Sequence, residues 1–344
     1  MKKHRIIATD RLERNMGELE KDKKDNTSIQ VGLSACLAGH EVRYNGGHTQ
    51  SRLCLDVLSK HFIFKTFCPE VAAGFGTPRP TMRLIGDPSA PKLVFSDGDG
   101  DGVDLTAQLV SGFEHKLPEM SHLDGYILMK NSPSCGLERV KVYQPNGHPH
   151  QIRSAGLFAQ ALKEQYPLMP IEEEGRLNDD TLYDNFVMRV YAYNNFRCEV
   201  LHQPSLRKLI EFHASYKYLL MAHNQRQYKH LGRLVAQHKK APLDELISSY
   251  FKDFMQTLAK PANRRDHTNT LLHILGYLKK SVPSSARQHI VDVIYKYKDG
   301  MTPLVTPLTL LTHYLGQYGS SYINAQRYLK PYPENIHPIR KYCR

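Results

Sequence analysis

Four short apolar runs constrain the fold more than any other feature: Ile29-Gln-Val-Gly-Leu33, His61-Phe-Ile-Phe-Lys-Thr-Phe67, Lys92-Leu-Val-Phe95 and Gly125-Tyr-Ile-Leu-Met129. Each is closed by turn residues, and runs of this length between breakers read as buried strands. Segments compatible with helix, Ser51 to Lys60, Thr106 to Leu117 and Leu157 to Tyr166, alternate with them. This alternation predicts an α/β layer fold, a Rossmann-like, mainly parallel sheet with helices on both faces. After the acidic stretch Pro167 to Asp180 the pattern becomes helical throughout, over Ser205 to His223, Gln225 to Lys239, Leu243 to Ala259, Thr268 to Lys280, Ser284 to Lys298 and Pro307 to Tyr318. A separate all-α domain is therefore expected, with Ser205 as N-cap of its first helix and Asp299-Gly300 as a stop. With 344 residues, 41% of them apolar, the chain can fill two cores. The expected division is a flexible tail over 1–27, an α/β domain over 28–166, a polar connector over 167–195 and a basic all-α domain over 196–344.

Charge divides along the same line. Residues 1–200 carry 24 Lys and Arg against 26 Asp and Glu, whereas residues 201–344 carry 22 against 8. The second part also holds 13 of the 20 Tyr and 10 of the 18 His. Positive charge interleaved with aromatics suits a surface that follows a phosphate backbone and stacks on unpaired bases; a solvated basic helical surface is the plainer reading. Within Gln225 to Lys239, Arg226, Lys229, His230 and Arg233 share one helical face, while Tyr228, Leu231, Leu234 and Val235 supply the opposite one. No stretch approaches the length of a spanning helix, and the N-terminus has charge without an apolar segment behind it, so no membrane and a cytoplasmic location are expected.

Six cysteines, at 36, 54, 68, 135, 198 and 343, are too sparse for a disulfide scaffold. Three of them stand apart. Cys36 follows the first apolar run, Cys68 the second, and Cys135 lies shortly after Gly125 to Met129. Ligands collect outside the carboxyl ends of strands in an open parallel sheet, so these thiols can converge without any local CxxC. Three soft thiolates suit iron-sulfur clusters, zinc or copper(I), although free cysteines are also common core residues. Asp97-Gly-Asp-Gly-Asp-Gly102 resembles the start of a calcium loop, but Gln108 stands where its closing Glu belongs, and a turn with Asp104 or Thr106 capping the next helix fits better.

Around the three cysteines stand Arg43-Tyr44-Asn45-Gly46, Cys68-Pro69-Glu70 with Pro78-Arg79-Pro80, and Ser132-Pro133-Ser134-Cys135-Gly136. In this order the motifs resemble the iron-sulfur desulfidases that remove sulfur from thiouracil and, in a two-domain form, from 4-thiouridine in transfer RNA. The match runs over about Ile29 to Gln165. Phe212-His213 with Lys217, Leu220-Met221-Ala222-His223 and Tyr228 through Val235 look like the helical domain commonly fused to that unit. The resemblance implies a 4Fe-4S cluster held by Cys36, Cys68 and Cys135, with its fourth iron open to the thiocarbonyl sulfur. It further implies Glu70 as acidic catalytic residue and Ser132 as active-site hydroxyl, with water added to the ring carbon and uridine and hydrogen sulfide as products. Arg43, Tyr44, Asn45, Arg79 and Ser134 are expected around the substrate, and Arg226, Lys229 and Arg233 on RNA.

The residues leave some points open. Glu70 is either the proton acceptor or a loop carboxylate paired with Arg79 or Arg83, and Arg43, Arg79 and Arg83 could neutralise phosphate or cluster charge. A desulfidase of free thiouracil and a non-catalytic, zinc-stabilised RNA-binding protein are the alternatives. A sulfur-inserting enzyme would need nucleotide activation, and the sequence contains no GxxxxGK[ST] loop.

Overall fold

The computed structural model describes residues 28–96 and 102–336. The tail expected over 1–27, the turn residues 97–101 and Cys343 lie outside the described residues. The chain forms two compact units, one made of residues up to Phe186 together with 335–336, the other of Val187–Glu334.

In the first unit the strands are β1 (Gln30–Ser34), β2 (Ile63–Phe67), β3 (Met82–Ile85), β4 (Lys92–Phe95), β5 (Gly125–Leu128), β6 (Val142–Tyr143) and β7 (Ile171–Glu173), and the helices are α1 (Pro69–Ala72), α2 (Thr106–Glu114) and α3 (Leu157–Gln165). The principal sheet has the order β2-β1-β5-β7 and every pair in it is parallel. The α/β expectation with a mainly parallel sheet is met. Lys92–Phe95 was expected to be one of its strands but pairs antiparallel with β3 in a second sheet of order β4-β3-β6. Ser51 to Lys60 is not a regular α-helix: it is a π-helical turn over Leu53–Val57 followed by a 3-10 turn over Leu58–Lys60.

Acidic residues 172–174 looked like part of a connector because three successive carboxylates have no apolar period. They are in fact strand and strand end, and each has a partner. Glu172 pairs with Arg176 at 2.7 Å, Glu173 Oε1 accepts the amide of Leu137 at 2.8 Å, and Glu174 Oε1 accepts the Ser51 hydroxyl at 3.0 Å. Burial of charge is tolerated where such bonds are made. The rest of that expected connector is largely the long helix α4 (Asp180–Phe196), within which the division between the units falls.

Gly32 is required by packing. It pairs with Tyr126 across β1 and β5, and a Cβ there would lie 2.2 Å from the Tyr126 ring. The ring thus covers bare backbone and meets Phe158 of α3 edge-on at 5.7 Å, and Phe158 in turn meets Phe113 and Phe67 at 5.5 and 5.4 Å. Tyr126, Phe113 and Phe158 are buried, which makes this aromatic group the floor beneath the carboxyl ends of β1, β2 and β5.

The second unit is helical: the end of α4 is followed by α5 (Leu206–His223), α6 (Gln225–Ala236), α7 (Leu243–Leu258), α8 (Arg264–Leu275), α9 (Ser284–Lys298), α10 (Val305–Tyr318) and the short α11 (Ser321–Asn324). Ser205 caps α5 as expected, its hydroxyl accepting the Lys208 amide at 3.2 Å. The core centres on Phe196, which stacks on Phe251 at 4.3 Å and meets Phe212 edge-on at 4.9 Å. No described helix is long and apolar enough to cross a membrane.

Candidate functional site

Register fixes two of the three thiols. Ser34 of β1 pairs with Phe67 of β2, so Cys36 and Cys68 lie two residues and one residue beyond the same rung of the sheet. Cys36 sits in a 3-10 turn over Ala35–Ala38 that ends on Gly39, whose φ of 93° favours glycine. The loop beyond is tied back by the Thr49 amide to Cys36 O at 3.0 Å and the Ser51 amide to Leu37 O at 2.9 Å. Cys68 is the N-cap residue of α1, and the nearby amides of Val71 and Glu70 oppose the rise that burial imposes on its thiol.

The third thiol comes from the loop after β5. Asn131 takes a left-handed conformation (φ 58°), Gly136 N donates to Ser132 O at 2.8 Å, and the Ser132 hydroxyl oxygen accepts the amides of Ser134 and Cys135 at 3.2 and 3.1 Å. This turn buries Cys135 and brings its thiol to the Ser34 side chain, which also accepts the Met129 amide at 3.1 Å. Gly136 and Gly156 permit it: a Cβ on the former would be 2.9 Å from Ser132 O, and one on the latter 2.5 Å from Ser134 backbone.

A cavity of about 350 Å³ opens above these turns, lined by Cys36, Cys68 and Cys135 together with Glu70, Arg79 and Ser132. Its size lies within the range of small-molecule sites. Burial pushes the Cys36 thiol up to about 11, with Cys68 adding to the effect. Burial raises Cys68 and, far more, Cys135, whose titration also feels Cys68 and Glu70. All three are thus neutral thiols at pH 7 in the free protein, and binding of a positive metal centre must displace their protons.

Glu70 is held from three sides. Its Oε2 forms an ion pair with Arg79, and its Oε1 accepts the Ser134 hydroxyl at 2.8 Å with the Ser132 hydroxyl further off at 3.5 Å. The pairing with Arg79 considered from the sequence is therefore present, and it leaves Oε1 facing Ser132. Arg79, expected at the substrate, is buried and committed elsewhere, donating to Gly76 O at 2.7 Å and Val42 O at 3.0 Å as well as to Glu70. Ser134 was placed at the substrate too, but it is buried outside the cavity lining and orients Glu70.

Arg43 and Tyr44 do line the cavity, the guanidinium lying 5.6 Å from the Tyr44 ring centroid and donating to Thr49 Oγ1 at 2.6 Å. Asn45 does not: its side chain turns back to accept the Gly47 amide at 3.2 Å. Lys130 and Asn131 are lining residues that the sequence reading did not assign. Arg226, Lys229 and Arg233 are exposed on α6, opposite buried Leu231 and Val235, while His230 is paired with Asp253 at 3.0 Å. Cys54 is buried at Ser51, and Cys198 lies in the π-helical turn over Arg197–Leu201 of the second unit.

Comparison with known proteins agrees with this arrangement. A family model described as 2-thiouracil desulfurase matches residues 31–174, which include all three cysteines, Glu70 and Ser132. The chain belongs to the 2-thiouracil desulfurase family. Residues 217–333 match a second family, described as a protein of unknown function (DUF1722). YbgA of Escherichia coli (strain K12), an uncharacterized protein, is 33% identical over 154 residues, which make up 44% of this chain and 91% of YbgA. YbbK of Bacillus subtilis (strain 168), also uncharacterized, is 30% identical over 156 residues, covering 43% of this chain and 97% of YbbK. Among solved structures, the 4Fe-4S-dependent thiouracil desulfidase TudS is 27% identical, with a TM-score of 0.34 over 44% of this chain and 94% of TudS.

Three thiols sharing one cavity fit a thiolate-bound cluster. Among the described residues no three His, Cys, Asp or Glu side chains converge to hold a single metal ion. A cluster places each thiolate on a different iron, so its ligands need not meet at one point. The floor offers a further sign. The Tyr126 hydroxyl is buried with no hydrogen-bond partner in the structure, and its titration is raised by burial and by Cys135, Cys68 and Cys36. Buried hydroxyls are ordinarily satisfied, and an inorganic sulfide or a thiolate above it would accept this one.

Proposed function

We propose that the chain is a desulfidase acting on 4-thiouridine in transfer RNA, yielding uridine and hydrogen sulfide by non-redox hydrolysis. The observation that carries the reading is the convergence of Cys36, Cys68, Cys135, Glu70 and Ser132 on one cavity of a unit whose chain continues into a strongly basic helical one. Cys36, Cys68 and Cys135 would hold a 4Fe-4S cluster. When bound, it supplies a Lewis-acidic iron that polarises a thiocarbonyl and accepts the departing sulfur, without electron transfer.

The protein's own groups do the rest. Glu70, fixed by Arg79 and Ser134, presents Oε1 to the cavity and takes the proton of the attacking water, a role ordinarily worth ~10²–10⁴ in rate. Ser132 spends its oxygen lone pairs on two backbone amides, so its proton is left to donate. At 3.5 Å the contact with Glu70 is weak, and the hydroxyl is free to turn to a pyrimidine oxygen or to the addition intermediate. Arg43 and Lys130 bring positive charge to the cavity wall, where a nucleotide phosphate would be neutralised. A base inside folded RNA must leave its stack to enter.

The test is anaerobic cluster reconstitution of the full chain followed by thiolated transfer RNA and, in parallel, free 4-thiouracil and 2-thiouracil. Uridine in the RNA with one sulfide released per base, at a kcat/KM above that for either free base, is expected. A preference for the free bases would favour the second reading, suggested by the family's description, of a thiouracil desulfidase. A colourless protein that binds zinc and RNA and releases no sulfide would overturn both.

A further inference from the structure

The second unit carries an aromatic group that its packing does not use up. Tyr218 of α5 is buried, and its hydroxyl donates to that of Tyr277 at 3.0 Å, the two rings meeting edge-on at 6.2 Å. Tyr277, in the turn after α8, lies 6.2 Å from Tyr322 of α11 with their planes 34° apart, and both rings are 39% exposed. Lys217 lies over the Tyr218 ring, its ammonium 5.2 Å from the centroid, and its charge also acts on the Tyr322 hydroxyl. Tyr228 of α6 lies close enough to Tyr218 and Tyr322 for its charge to act on their titration, and it stacks on His213 at 6.3 Å and 6°. Tyr277 and Tyr322, from elements distant in sequence, thus present half-exposed rings over the buried Tyr218, with a cation nearby. Lys279 and Lys280 are exposed two and three residues after Tyr277.

A closed core would bury these rings, and a merely solubilising surface would not spend half-exposed tyrosines on it. Flat π-faces with a fixed ammonium match an unpaired nucleobase and the phosphate next to it. The occupant suggested by charge is nucleic acid, since residues 201–344 carry 22 Lys and Arg against 8 Asp and Glu. Burial holds the His213 imidazole down at about 4, so the ring behind Tyr228 is an uncharged stacking partner at pH 7.

We propose that Tyr277 and Tyr322, with Lys217 and Tyr228 nearby, form a binding site for an unpaired nucleotide of the RNA substrate, the base stacking on the tyrosines and its phosphate meeting Lys217. This rests on the RNA reading above and deepens it. The Arg226, Lys229 and Arg233 face would follow backbone, while this site takes a base.

The chain contains no Trp, so Tyr322→Trp installs a single indole in the otherwise complete protein. Titration with unmodified transfer RNA is expected to quench its emission with the same midpoint as binding followed on labelled RNA. The double variant Tyr277→Leu/Tyr322→Leu is expected to bind about tenfold more weakly or worse with an unchanged salt slope, because stacking and not counterion release is lost, whereas Tyr277→Phe/Tyr322→Phe keeps affinity within about threefold. Thermal melting identifies a leucine variant that has lost its fold, in which case the indole titration decides. RNA binding by the wild type with unquenched indole emission, or with undiminished affinity in a folded leucine variant, would overturn the site and leave the RNA reading standing. Failure of the wild type to bind RNA would overturn both.

Discussion

The two units solve opposite problems. In the α/β unit, polar and titratable groups are brought inward: Glu70, Arg79, Ser134 and Cys135 are largely withdrawn from water and satisfied by one another around a cavity. In the helical unit the interior is aromatic, built on Phe196, Phe212, Phe251 and Phe254, and the cations stand outside. Chemistry on a substrate atom needs fixed groups in a dry, shaped site, whereas the polyanion binding proposed for the helical unit needs charges spread over a surface. The first requires convergence of distant segments; the second needs only helical spacing.

The sharpest way to break this contrast is at the carboxylate. Glu70→Gln keeps the size and shape of the side chain but removes its charge, one of its two acceptor oxygens and its proton affinity, so turnover should fall about 10²–10⁴-fold with visible absorption of the cluster unchanged. Steady-state rates with a matched spectrum check it; full activity would return Glu70 to a structural role. On the other unit, charge reversal at Arg226, Lys229 and Arg233 should weaken transfer RNA binding and reduce the salt slope by about 2 on log axes, at ~0.7 per single-strand contact. Turnover of a free thiopyrimidine should not change. Binding measured across a salt series reads this effect, and an unaltered slope would move the backbone contact elsewhere.

A smaller effect sharpens the packing side. Gly32→Ala drives a methyl into the Tyr126 ring, whose nearest atom is 2.2 Å from that position. Overpacking of this kind costs roughly 1–3 kcal/mol, which denaturant unfolding would show. Gly276→Ala, with open space around its Cβ position, is the control.

The smallest effect concerns acid and base, and its sign differs between the units. Burial holds His213 and His223 at about 4 and His267 at about 3 in the folded helical unit. The unfolded chain takes up these protons first, so the helical unit loses stability as pH falls from about 6.5 towards 4. In the cluster-free α/β unit, burial pushes Cys36 and Cys54 up to about 11. Its stability is complete below the ordinary thiol range and is lost as pH rises through about 11. Melting curves of the cluster-free protein across pH should show the two units failing at opposite ends.

Much of the helical unit was legible because a helix repeats its logic every turn. The segments Gln225 to Lys239 and Ser284 to Lys298 differ from the observed α6 and α9 by at most a few residues, all at their C-terminal ends. Strands β1, β2 and β5 were equally plain as apolar runs. Strand β7 was hidden because its glutamates find partners in Arg176 and the Leu137 amide, which no local pattern announces. Likewise Lys92–Phe95 reads as a strand from its residues, but which sheet it joins depends on β3 and β6.

The candidate site shows the same limit. Cys36, Cys68, Glu70, Ser132 and Cys135 were singled out by position and motif, whereas the roles of Arg79 and Ser134 changed once their contacts were seen. Both were placed at the substrate and both bond Glu70, Arg79 from the cavity wall by the pairing the sequence had left open and Ser134 from outside the lining. Lys130 carried no signal, since a lysine after a strand is ordinary until its stem lies against Gly175 and the cavity opens beside it.

By itself the sequence determined the strand and helix segments, the division of charge between the halves and the identity of the reactive groups, because these follow from spacing and composition along the chain. Only the tertiary structure decided that three thiols share a cavity, that Arg79 is the arginine paired with Glu70, and that tyrosines from separate elements gather near Lys217. Those facts depend on sheet register and on which side chain fills the space beside a glycine, and distances across a fold are not written in the order of its residues.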